Sequence, residues 1–111
     1  MYGLPDKTIN LINGVFKKYS GIDKVIIYGS RARGDYRNGS DIDLTILGDV
    51  SYKDKICIAG QIYDLPIPYS CDLSVLKNIK NENLVERIER VGKLFYEKNI
   101  NIKKRKTKEF L

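Results

Sequence analysis

The sequence predicts an α/β (α+β) domain built on a small, mixed and mostly parallel sheet flanked by helices. Two observations lead there. Segments with apolar residues at helical spacing alternate with short runs rich in β-branched residues, a pattern that folds as a sheet with helices packed against it. The length of 111 residues suits one domain and excludes a two-domain enzyme carrying its own substrate-binding half. That domain is expected over residues 1–98, followed by a basic tail over 99–111.

The first helix is expected between Pro5 and Tyr19, where Ile9, Leu11, Ile12, Val15 and Phe16 recur on one face and Ser20-Gly21 ends the run. Lys24 to Tyr28 is a short apolar run cut by Gly29, read as a strand buried on both faces. The polar stretch from Arg31 to Ser40 holds a helical turn at most, then a loop. A second strand follows over Asp41 to Leu47, with Asp41, Asp43 and Thr45 on one side and Ile42, Leu44 and Ile46 on the other. Ser51 to Leu65 fits a helix through Ile56, Ile58, Ala59, Ile62 and Tyr63. Pro66 and Pro68 mark the crossover to a third strand over Tyr69 to Val75, with Ser70 and Asp72 on one face and Cys71 and Leu73 on the other. A last helix carries Leu84, Val85, Ile88 and Val91, with cap-like Asn81 and Asn83 before it and Gly92 after it. Lys93 to Tyr96 reads as a final short strand.

The net charge of +6 is concentrated in the tail, where Lys103, Lys104, Arg105, Lys106 and Lys108 face a single acid, Glu109. Such a block is a solvated terminus or a contact for nucleic acid. The chain has no His, which removes the commonest general base and excludes Ser-His-Asp chemistry and His-based zinc sites. Its two cysteines, Cys57 and Cys71, are too few for a disulfide framework. No secretory leader is visible at the start, and no apolar stretch approaches the ~20 residues that span a bilayer. A reducing, cytoplasmic location with free thiols is expected.

Asp41-Ile42-Asp43 carries the strongest chemical signal. Carboxylates at i and i+2 of a strand share a face and can converge on a hard cation such as Mg²⁺. Alone, the pair reads equally well as a solvated strand end. Its context matters: Gly29-Ser30 lies directly after a buried strand, with ten residues between Ser30 and Asp41. A glycine there lets backbone approach a phosphate, while following N–H groups and the Ser30 hydroxyl donate to it. Asp72 sits in an otherwise apolar strand, where an acid must be paired, hydrated or metal-bound. If its strand lies beside the second, three carboxylates gather, and only divalent cations would relieve their repulsion.

The run Gly29-Ser30-Arg31-Ala32-Arg33-Gly34-Asp35, followed by Ser40-Asp41-Ile42-Asp43-Leu44, resembles the Gly-Ser…Asp-x-Asp signature of the DNA polymerase β-type nucleotidyltransferase superfamily. Small size and the Arg-Ala-Arg-Gly run resemble most closely the minimal nucleotidyltransferases (MNT), antitoxins paired with HEPN-domain toxins. The likeness extends from about Val25 to Tyr96 and includes the ending Gly92-Lys93-Leu94-Phe95-Tyr96-Glu97. It implies that Asp41 and Asp43 bind two Mg²⁺ ions, and that Asp72 binds one of them and activates the attacking hydroxyl. It also implies that Gly29 and Ser30 hold the β- and γ-phosphates of ATP. Ser40, Arg31 and Arg33 join the expected nucleotide-binding set, the arginines reaching phosphates or acceptor unless they stay solvated. Tyr28 is assigned to packing.

The resemblance further implies transfer of AMP from ATP to a tyrosine of a HEPN toxin. The core lacks the helical domain by which larger relatives grip an acceptor, so the acceptor must help build the site. A small-molecule nucleotidyltransferase, a non-catalytic antitoxin that neutralises by contact, and a nucleic-acid tether acting through the tail remain alternatives. No membrane role is expected.

Overall fold

The computed structural model describes residues 1–98, and the expected basic tail lies outside the described residues. The elements run α1 (Asp6–Phe16), β1 (Ile22–Tyr28), α2 (Gly29–Arg33), β2 (Ile42–Gly48), α3 (Tyr52–Tyr63), β3 (Cys71–Val75), a 3-10 turn (Leu76–Asn78), α4 (Glu82–Val91) and β4 (Lys93–Glu97). Each expected helix and strand is present. Local chemistry sets their ends: Ser51 Oγ accepts from the Asp54 N–H at 3.1 Å to start α3, and Asn81 Oδ1 accepts from Leu84 at 3.2 Å to start α4.

The four strands form one mixed sheet in the order β3-β2-β1-β4. Only β2 and β3 pair in parallel; β1 runs antiparallel to both β2 and β4. The sheet is mixed as expected, but the expectation that it would be mostly parallel is corrected. The reason lies in the connections. Parallel neighbours need a crossover of about a dozen residues or more, usually a helix packed back on the sheet. The 12-residue α3 provides one between β2 and β3, whereas the five residues of α2 cannot. β2, β3 and β4 therefore point one way, and β1 inserts between β2 and β4 in the opposite direction.

From β2 to β3 the chain steps outward, and from β3 to β4 it steps back across the sheet. Right-handed crossovers taken in opposite senses place α3 and α4 on opposite faces. On one face Ile12, Val15 and Phe16 of α1 and Ile58 and Ile62 of α3 enclose Val25, Ile27, Ile42, Leu44, Ile46, Leu73 and Val75. On the other, α4 buries Ile88 and leads to Gly92, which is pressed against Ile26. β1 is fully buried on the first face only; Ile26 and Tyr28, on the second, keep partial exposure. Among the described residues, no helix is long and apolar enough to cross a membrane.

Candidate active site

β1 ends where β2 and β3 begin, so the last residue of one strand meets the first residues of two others. The register sets Tyr28 opposite Asp43, and Asp43 opposite Asp72. With strands ~4.8 Å apart, these three side chains stand in one row on the face away from the main core. The Ile42 N–H donates to the Ser70 carbonyl at 2.8 Å, which fixes the parallel register just ahead of both acids. Asp43 is half-buried, while Asp72 is exposed on the edge strand. Asp41 precedes the first residue of β2 and is exposed.

Crowding is visible in the electrostatics. Burial, and then the carboxylates of Asp72 and Asp41, push the Asp43 carboxyl above its ordinary range, with Arg33 pulling the other way. The Tyr28 phenol is likewise pushed up by burial, then by Asp72 and Asp43, against a hydrogen bond with Ser74. Beneath the acids, Ser74 Oγ bonds Thr45 Oγ1 at 2.9 Å, and Thr45 is wholly buried. Thr45 and Ser74 thus form a hydroxyl pair next to the row of Tyr28, Asp43 and Asp72. Tyr28 was expected only to pack; its place immediately before Gly29, at the strand end that meets Asp43, was the available signal.

Gly29 turns the chain from β1 into α2 with φ +73°, a region that L side chains rarely enter. A β-carbon there would overlap the Asp43 carboxylate. The Gly-Ser bend and the first of the two row acids are therefore in direct contact, which ten intervening residues alone do not dictate. Gly34, at φ +92°, closes α2, its N–H donating to the Ser30 carbonyl at 2.9 Å.

The remaining expected site residues divide. Arg33 is exposed, pairs with Asp35 at 3.4 Å, and is the cation that acts on Asp43. Arg31 is only 3 % exposed. Its Nε and Nη2 donate to the Ser40 carbonyl at 3.1 and 3.0 Å, and its Nη1 to the Tyr2 carbonyl at 3.0 Å. Expected to reach phosphates or the acceptor, this side chain instead donates from each of its three nitrogens to the protein's own backbone. Ser40 closes the turn before Asp41, its Oγ accepting from the Arg37 N–H at 2.9 Å.

The donor set consists of oxygens, as a hard cation requires, and the raised Asp43 pKa marks the negative charge that such a cation would relieve. Among the described residues, however, no three His, Cys, Asp or Glu side chains close into a metal-binding group. Asp43 and Asp72 are register partners, and Asp41, two residues before Asp43, is close enough to act on its carboxyl. A concavity of about 590 Å³ lies between α3 and β3 and is lined by residues including Ile62, Tyr63, Ile67, Tyr69 and Leu73.

Known proteins resemble this chain in sequence and in fold. The profile of the family described as "Polymerase beta, Nucleotidyltransferase" matches residues 10–101. Two similar proteins of Methanocaldococcus jannaschii are named "Putative protein adenylyltransferase MJ0604" and "Putative protein adenylyltransferase MJ0141". The first is 52% identical over 42 residues, covering 37% of this chain and 42% of the relative. The second is 31% identical over 75 residues, covering 64% and 76%. The chain thus spans less than half of the first relative's length. Among solved structures, a toxin-antitoxin bound to AMP-PNP superposes with TM-score 0.66 at 18% identity, over 88% of this chain and 77% of that one. A complex of tri-AMPylated Shewanella oneidensis HEPN toxin with its MNT antitoxin superposes with TM-score 0.63 at 16% identity, over 93% and 78%. At such identities these two structures establish the shared fold.

Proposed function

Because the chain belongs to the polymerase beta nucleotidyltransferase family, we propose that it transfers AMP from ATP to a tyrosine of a HEPN toxin partner and thereby acts as that toxin's antitoxin. One observation carries the reading: Asp43 and Asp72 are register partners, and Gly29 of the Gly29-Ser30 bend touches Asp43. That arrangement sets a place for phosphates against a place for a cation. The similarity to structures described as toxin-antitoxin complexes, one of them AMPylated, supports the choice of nucleotide and partner.

In this reading Gly29 and Ser30 hold the β- and γ-phosphates, with Arg33 adding positive charge at the rim of the site. Asp41 and Asp43 would hold two Mg²⁺ ions, and Asp72 one of them. When bound, the metal would supply charge neutralisation at the α-phosphate and at the departing pyrophosphate. Asp72, exposed on the edge strand, is open to an incoming acceptor and takes the proton of the attacking hydroxyl. The new bond joins the acceptor oxygen to the α-phosphorus; the bond to the β-phosphate bridging oxygen breaks, and pyrophosphate leaves. A carboxylate base is what a chain without His has to offer.

The test is incubation of the full chain with Mg²⁺ and ATP labelled at the α-phosphate, with and without the HEPN-type protein encoded beside it. Label on a tyrosine of that protein, lost in Asp43→Asn, is the expected result. Label appearing only on small hydroxylated molecules would replace the partner reading with a small-molecule one. Neutralisation of the partner that survives Asp43→Asn without any label would sink catalysis in favour of contact alone.

A further inference from the structure

We propose that Arg31 is a positioning residue that assembles the active site from inside, tying the backbone segments that carry its residues to one another and to the N-terminal turn. The inference deepens the nucleotidyltransferase reading above and rests on it. One guanidinium meets four residues on three other stretches of chain. It grows from α2, the continuation of the Gly29-Ser30 bend. Nε and Nη2 both donate to the carbonyl of Ser40, the residue before Asp41, and Nη1 donates to the carbonyl of Tyr2. It also lies over two rings, with Cζ 5.2 Å from the centroid of Tyr36 and 5.1 Å from that of Tyr69. Both distances fall within the ~6 Å over which a cation is attracted to an aromatic face. Tyr69 precedes Ser70, whose carbonyl accepts from Ile42 and sets the register of Asp43 against Asp72.

The Tyr2 end of the tie is itself anchored. Tyr2 adopts φ +58°, unusual for a residue with a side chain. Its hydroxyl donates to the Leu94 carbonyl at 2.7 Å, and its ring stacks on Phe95 at 6.4 Å. Leu4 follows, buried, with its N–H on the Met1 carbonyl at 2.8 Å. The N-terminal turn is thus a fixed post on β4, and Arg31 reaches from it to the bend, to the acid strand and to the start of β3. Lysine cannot substitute. An ammonium lacks the planar fork that meets two carbonyls while lying near two rings.

The experiment compares the wild-type chain with Arg31→Lys and Arg31→Ala, assayed for transfer to the HEPN partner under varied ATP. Misplacement of the acids should lower kcat by roughly 100-fold, with KM for ATP held within about threefold because Arg31 binds no phosphate. Free guanidinium ion should restore part of the rate to Arg31→Ala and none to Arg31→Lys, whose side chain fills the slot. If Arg31→Ala fails to fold, Arg31→Lys carries the test. Amide hydrogen exchange gives a readout independent of activity: in Arg31→Lys the Ser40 and Ile42 amides should exchange faster, while those of Val25 and Ile46 in the sheet interior keep their protection. A rise in KM for ATP at unchanged kcat would overturn the proposal by making Arg31 a phosphate ligand. Unchanged exchange at Ser40 and Ile42 would overturn it as well. If the wild type transfers nothing, the nucleotidyltransferase reading fails, and exchange still decides whether Arg31 holds these segments together.

Discussion

The α-carbon of Gly29 packs against the carboxylate of Asp43 so closely that a β-carbon on residue 29 would overlap Oδ2. Substitution by alanine therefore meets two obstacles at once. The backbone sits at φ +73°, which costs an L-residue roughly 1–2 kcal/mol, and the methyl group displaces the acid on which the proposed chemistry depends. Gly29→Ala should fold with a stability loss of about that size and lose label transfer by two orders of magnitude or more, roughly the effect of a 1 Å displacement. Urea unfolding read beside the transfer assay checks both. Retention of near-wild-type transfer would mean that the contact does not govern where Asp43 sits.

Asp43 also makes a prediction about pH. Burial first, then Asp72 and Asp41, raise its carboxyl pKa above the ordinary 3.8, so relative to the unfolded chain the fold favours the protonated form. Ionisation of Asp43 then costs native stability. The cost is absent below the unfolded value, grows as pH rises towards the folded value, and is complete above it. Asp43→Asn should remove transfer yet melt above the metal-free wild type at pH 7, with the gap closing as pH falls towards 4. Mg²⁺ should raise the wild type's Tm and narrow the gap from the other side. A variant that melts lower than wild type at pH 7 would show that the crowding is not the dominant effect.

The same residues show what a sequence can and cannot reveal. The placing of Gly29, Asp43 and Asp72 at one strand end was legible because each breaks a local rule: a glycine cutting a buried strand, or an acid inside an apolar run. Helical spacing likewise marked α1, α3 and α4, and short apolar or alternating runs marked the strands, whereas α2 showed only as a helical turn at most. Strand direction was not legible in that way. A helix between two strands implies parallel pairing only if it is long enough to cross the sheet and if the two strands end as neighbours. α2 fails the first condition, and β4, landing beyond β1, fails the second. Arg31 was opaque for a different reason. Its partners Tyr2, Tyr36, Ser40 and Tyr69 are scattered along the chain, so no local pattern separates a buried structural arginine from a solvated loop one.

The two cysteines should differ sharply in reactivity. Burial, followed by Asp41, pushes the Cys71 thiol up to about 11 despite the nearby Arg31, and Cys71 is only partly accessible; Cys57 on α3 is exposed. At pH 8 a thiol of that pKa is roughly one part in a thousand thiolate, and the thiolate is the species that reacts. Iodoacetamide followed by peptide mapping should therefore label Cys57 well before Cys71, with the Cys71 rate climbing about tenfold per pH unit between 8 and 10. Equal labelling of the two at pH 8 would show that the start of β3 opens in solution.

The last prediction concerns the packing that supports the tie through Arg31. Phe16 is wholly buried, meets Phe95 edge-on at 6.5 Å and leans on Tyr96 at 5.6 Å. Phe95 in turn carries the ring of Tyr2. Helix α1, the edge strand β4 and the N-terminal turn are thereby joined through one aromatic stack. Truncating a buried phenylalanine costs ~3–5 kcal/mol, a large share of the ~5–15 kcal/mol that holds a domain folded. Phe16→Ala should lower Tm by about 15–30 °C, whereas Phe16→Leu, which keeps most of the volume, should lose less than half as much. The damage should also reach the site: at temperatures where Phe16→Leu remains folded, its Tyr2 and Leu4 amides should exchange faster than wild type while those of β2 do not. Even loosening of both groups would mean that the aromatic stack stabilises the domain as a whole and does not specifically hold the N-terminal turn.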